Sequence, residues 1–258
     1  MMPHSGAPPH PGAAPGAERT VVLSLLGLLA VLCWAFLLRV GRVAPPGSGA
    51  AVHGAPWQAA DLARLFALWV AVIAAMMLPA AAPSVLLYAR IKRLRHERRV
   101  YLSTLLFTLG GLTVWCCWAL AASLAGWLLH DAGALDEAMG VTHPTAWPLA
   151  LVAAGLYQWT PAKHACLENC RAPLAFLRTE WRRGVPGAFR MGVADARCCS
   201  GCCWLLMGLV LPAGVLNLPV IGGLVILILA EKLLPGGHLL ACATGLGLVA
   251  WGTALLFP

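Results

Sequence analysis

Residues 198–216 read CCSGCCWLLMGLVLPAGVL: four cysteines within six positions, then an apolar run without a charged side chain. The run does not alternate as a barrel strand would, and its length is near the about 20 residues a helix needs to cross a bilayer. Comparable blocks recur along the 258-residue chain, which is 60% hydrophobic and only 11% charged. Soluble domains carry about 25% charged residues. Lipid offers no partner to an open sheet edge, so the fold expected is all-α, a polytopic transmembrane helix bundle.

Seven spans can be drawn, at about 20–38, 62–88, 101–129, 145–159, 198–216, 219–234 and 239–257. Only Asn217-Leu218-Pro219 joins the fifth and sixth, which makes them a tight hairpin or a re-entrant pair. Six spans plus a re-entrant element is therefore the alternative. Residues 1–19, rich in Pro, Gly and Ala, are expected to form a disordered tail ahead of an uncleaved first span. The helical domain then covers 20–258 and includes a cysteine-containing link at about 160–198. His4 and His10 are expected to be solvated tail residues.

Lysines and arginines orient such a bundle. Of the 18, six lie in RIKRLRHERR after the second span, seven lie between the fourth and fifth, and Arg19 and Lys232 join them. The other side keeps Arg39, Arg42 and Arg64. This asymmetry puts the N-terminus and the basic links in the cytoplasm. It also explains the formal charge of +8 without a nucleic-acid partner. The cysteine cluster would then stand at the cytoplasmic mouth of the fifth span, where cytosolic reductants keep thiols reduced.

The ten cysteines divide by position. Cys33, Cys116, Cys117 and Cys242 lie within apolar spans, where free Cys packs as a small hydrophobe. The other six belong to the cytoplasmic link or its end. Cys166 and Cys170 are four apart, so both sulfurs face one side of a helix, and His164 could add an imidazole. Cys199 and Cys202 form a C-x-x-C; Cys198/Cys202 and Cys199/Cys203 repeat the spacing of four. Soft thiolates suit Cu(I), zinc or iron–sulfur centres. Without two separated C-x₂-C pairs at zinc-ribbon spacing, Cu(I) is favoured and zinc is the other candidate. In the second span, Met76 and Met77 precede Pro79 and Pro83. Thioethers at a proline-kinked span could hand on Cu(I), although methionine is also ordinary core filler. Asn217, Glu231 and Lys232 are ionisable or polar groups near membrane depth, which makes them functional candidates. Gln158 and Lys163 read as interfacial anchors.

Three stretches resemble a bacterial family of predicted metal-binding integral membrane proteins, domain of unknown function 2182. They are AAMMLPAAAPSVLLYAR at 74–90, YQWTPAKHACLENCR at 157–171, and FRMGVADARCCSGCCWLLMGLVLPAGVLNL at 189–218 continuing to LAEKLLPGG. By this resemblance Cys166, Cys170, Cys199, Cys202 and Cys203 correspond to the family's thiols, and Met76 and Met77 to its methionine pair. Asn217, Glu231 and Lys232 correspond to its polar positions. Two places depart: Asp195 stands where a histidine is common, and Leu216 where a methionine precedes the asparagine. The extra Cys198 would compensate in a more purely thiolate site.

The expected function is that of a copper chaperone, conduit or metal-handling factor rather than an enzyme. Its partners would be the bilayer, the metal ion and another membrane or copper-handling protein. Two alternatives stay open. One is a thiol–disulfide oxidoreductase using Cys199/Cys202 and Cys166/Cys170; the other is an assembly subunit of a larger membrane complex.

Overall fold

The computed structural model describes residues 15–43, 58–97, 99–136, 139–182 and 184–257. Three long helices lead: α1 (Pro15–Val43), α2 (Ala59–Leu94) and α3 (Val100–Asp131). α1 already begins within the stretch expected as tail; residues 1–14, with His4 and His10, lie outside the described residues. α2 continues through Pro79 and Pro83. Four short helices follow, α4 (Ala146–Tyr157), α5 (Pro161–Arg171), α6 (Pro173–Thr179) and, longer than these, α7 (Gly184–Gly201). Then come α8 (Trp204–Gly208), α9 (Val210–Ala213), α10 (Leu218–Leu233) and α11 (Gly237–Leu256). Among the described residues the only β feature is one isolated bridge, Leu135 to Val141. The all-α expectation holds.

Six or seven spans can be drawn from the sequence. Among the described residues four helices, α1, α2, α3 and α11, are long and apolar enough to cross a membrane, and α7 with α8–α9 makes a fifth if a 69° bend is allowed. α4 has 12 residues and α10 has 16, short of the about 20 that a span needs. Gly214, at φ +93°, ends the run from α8 to α9. Asn217 then starts α10: its Oδ1 accepts from the Val220 amide at 3.3 Å and its Nδ2 donates to the Ala213 carbonyl at 3.2 Å. Asn217 is thus a helix cap, which accounts for a polar residue here without a ligand role.

The cysteine cluster does not open the fifth span, as the sequence suggested; it forms the bend in the middle. Residues 184–197 look like a polar link because they include Arg190, Asp195 and Arg197. Folded, they form an amphipathic helix whose arginines are exposed while Gly187, Ala188, Met191, Gly192 and Ala196 are buried. Gly192 lets α7 touch α3 backbone to backbone; a Cβ there would collide with the Phe107 carbonyl oxygen. Ala196 faces Gly111, and Trp204 lies 6.2 Å from Trp118 between ring centroids. These contacts bracket the midpoint of α3. The cluster is therefore level with the middle of α3.

Candidate metal centre

The break between α7 and α8 sets the local chemistry. The Cys203 amide bonds back to the Ser200 carbonyl at 3.0 Å, which leaves the Cys199 carbonyl oxygen to side chains. That oxygen accepts from Cys202 Sγ at 3.1 Å, Cys203 Sγ at 3.3 Å and Lys232 Nζ at 3.3 Å. Cys199, Cys202 and Cys203 are all buried. A helix break in so apolar a setting needs other groups to satisfy its backbone. Here Tyr157 Oη donates to the Gly201 carbonyl at 2.5 Å.

α5 brings the second thiol group. Thr160 caps it, its Oγ1 accepting from the Lys163 amide at 3.3 Å, and Pro161 takes the first helical position. Cys170 Sγ lies 3.8 Å from Cys202 Sγ. Cys166 Sγ occupies the space left open by Gly201, where a Cβ would stand 3.0 Å from the sulfur. Burial, followed by the neighbouring Cys198, pushes the Cys166 thiol up to about 11. Cys198 Sγ accepts from Asn169 Nδ2 at 3.3 Å.

From α2, Met77 Sδ reaches Cys203 Sγ at 3.9 Å. Its neighbour Met76 is equally buried but turns to an apolar cavity of about 240 Å³, lined also by Trp69, Trp118, Trp204 and Met207. The sulfurs meet in pairs: among the described residues no three His, Cys, Asp or Glu side chains are gathered as around an ion. Both pair distances, 3.8 and 3.9 Å, are shorter than the roughly 4.6 Å across a linear sulfur–metal–sulfur unit with bonds of about 2.3 Å. A two-coordinate soft ion between either pair would have to bend or part the sulfurs by about 1 Å.

Charged groups close this centre from the side of α10. Lys163 Nζ donates to Glu231 Oε2 at 2.6 Å, and Gln158 Nε2 to Glu231 Oε1 at 2.9 Å, all buried. Lys232, next in sequence, points the other way and donates to Cys199 Sγ at 2.9 Å. Arg171 Nη1 donates to the carbonyls of Glu231 at 2.8 Å and Leu234 at 2.6 Å, satisfying the end of α10. Gln158 and Lys163 are core partners of Glu231, not interfacial anchors.

His164 has a different neighbour from the one expected. Its Nδ1 is 2.8 Å from His238 Nδ1 at the start of α11, and the rings stack with centroids 5.1 Å apart. Cys117 and Cys242 are exposed, Cys33 and Cys116 half-buried, and all ten cysteines are free thiols. His238, Arg171 and Tyr157 escaped the sequence reading because each acts on a residue far away in the chain; no local spacing signals them.

Searches of curated proteins and of solved structures return no significant match. A family model does match: PpoB2, described as copper chaperone, over residues 66–255. That interval contains all three sulfur-bearing elements, α5, the α7–α8 break and the Met77 turn of α2. The chain belongs to this copper chaperone family.

Proposed function

We propose that the protein is a membrane-embedded chaperone that takes Cu(I) as its cargo and holds it on buried thiolates. The observation that carries this reading is the 3.8 Å approach of Cys170 Sγ to Cys202 Sγ, in a chain of a copper chaperone family. Soft sulfur donors prefer Cu(I) over hard cations. Cys170 and Cys202 are the primary ligands. Cys203 and Cys199 stand next to them, Met77 offers a neutral thioether, and Cys166 and Cys198 are the outer thiols. Met76, on its cavity, and His164, paired with His238, have lesser roles.

The bilayer setting is supported by the surface as well as by helix length. Only 6% of the apolar window of α1 is buried, and Leu239 and Ile226 are exposed by 78% and 71%. Apolar surface on that scale needs lipid or a partner. The resemblance to a bacterial family of metal-binding integral membrane proteins agrees and favours a bacterial inner membrane, and the lysine and arginine asymmetry favours an N-terminus inside.

Anaerobic purification in detergent, followed by Cu(I) titration against a chromophoric chelator, tests the reading. One Cu(I) per chain is expected, and Cys202→Ser or Cys170→Ser should abolish tight uptake. A protein that binds no Cu(I), but yields a Cys170–Cys202 disulfide that exchanges with a thiol partner, would favour the oxidoreductase instead.

A further inference from the structure

Lys232 is buried beside the thiols, at 6% exposure, and its ammonium donates to Cys199 Sγ. Among the described residues no ion pair joins it to a carboxylate. Glu231, adjacent in sequence, is taken by Lys163 and Gln158. Asp195, one turn before Cys199 on α7, lies within the field of Lys232 but makes no ion pair with it and bonds to Ser84 instead. A buried charge without a paired counter-ion is strongly destabilising, and the groups packed closest to this ammonium are the thiols of Cys199, Cys202, Cys203 and Cys170.

We infer that Lys232 is the fixed counter-ion of the loaded site and selects a monovalent soft metal over a divalent one. This rests on the copper-holding reading above. Two thiolates and one Cu(I) carry a net charge of −1, and Lys232 brings the sum to zero. Met77 can join as a third ligand without altering the charge, because a thioether is neutral. Two thiolates and one Zn(II) are already neutral, so the ammonium is left uncompensated in a low-dielectric interior. Both ions bind sulfur at similar distances, so bond length does not separate them; with the donors limited to one thiolate pair, the charge at Lys232 does.

The experiment uses the full chain in detergent under anaerobic conditions. Cu(I) and Zn(II) affinities are each measured by competition with a chromophoric chelator, for the wild type, Lys232→Leu, Lys232→Gln and Lys232→Arg. Lys232→Leu should lose about a hundredfold or more in Cu(I) affinity while Zn(II) affinity holds or rises, so the ratio of the two collapses. Lys232→Gln keeps a donor toward Cys199 without the charge and should show the same collapse even if the leucine variant does not fold. Lys232→Arg should keep the ratio within about tenfold of wild type. A wild-type ratio in the glutamine variant, or parallel loss of both affinities in all three variants, would overturn the inference. A wild type that takes up no Cu(I) would instead remove the copper-holding reading beneath it.

Discussion

The protein buries lysines in two places and treats them differently. At the charged ends of α2 and α3, Lys92 is 1% exposed and paired with Glu97 five residues away. The aromatic rings of Tyr88, Phe107 and Trp181 stack around this spot, with Tyr88–Phe107 centroids 4.5 Å apart and Arg95 4.3 Å above Trp181. Glu97 remains 27% exposed, so water shares the charge. In the sulfur centre, Lys163 meets Glu231 across 68 residues of sequence, and both are buried. The rim pair is local and solvated, whereas the central pair is made by tertiary contact and sealed. The same pair of charges can therefore be cheap to break in one region and costly in the other.

Glu231→Gln should give the largest effect, because it leaves the Lys163 ammonium buried without a carboxylate: about 3–5 kcal/mol of destabilisation, read as a lowered unfolding midpoint in detergent. A loss under about 1 kcal/mol would make the centre resemble the rim. Next is Gly192→Ala, which forces α7 away from α3 and carries the cluster with it. About 1–3 kcal/mol is expected from such overpacking, together with reduced Cu(I) stoichiometry at unchanged cysteine count. Asn217→Ala removes the α10 cap and should cost about 1 kcal/mol, leaving Cu(I) uptake intact. Glu97→Gln, the rim counterpart of the first variant, also leaves a buried ammonium, but one whose partner is 27% exposed and which lies over the Trp181 ring. It should cost about 1 kcal/mol, well below Glu231→Gln. If it matched Glu231→Gln, solvent access would not be what distinguishes the two pairs.

Part of the centre was legible in advance. Spacing of four in HACLENC put Cys166 and Cys170 on one helical face, and α5 realises it. The ionisable pair Glu231-Lys232 stood out against an apolar block, yet its division of labour did not: neighbouring side chains leave a helix about 100° apart, and here one reaches carboxylate chemistry and the other sulfur. The α7 helix has the composition of a link because its arginines lie on the exposed face while its small residues face α3. Composition averages over both faces of a helix, and packing does not.

By itself, the sequence determined that the chain is helical and built of apolar spans, because blocks without charges near bilayer length leave backbone groups no other way to be satisfied. It also determined that six of the ten cysteines would fall in two segments, 166–170 and 198–203. Only the tertiary structure decided that Cys170 meets Cys202 across 32 residues, that Met77 rather than Met76 reaches the thiols, and that the cluster bends a helix at mid-height. The physical reason is range. Hydropathy and spacing act along a few turns, whereas which sulfur touches which depends on how closely glycine and alanine let the helices approach.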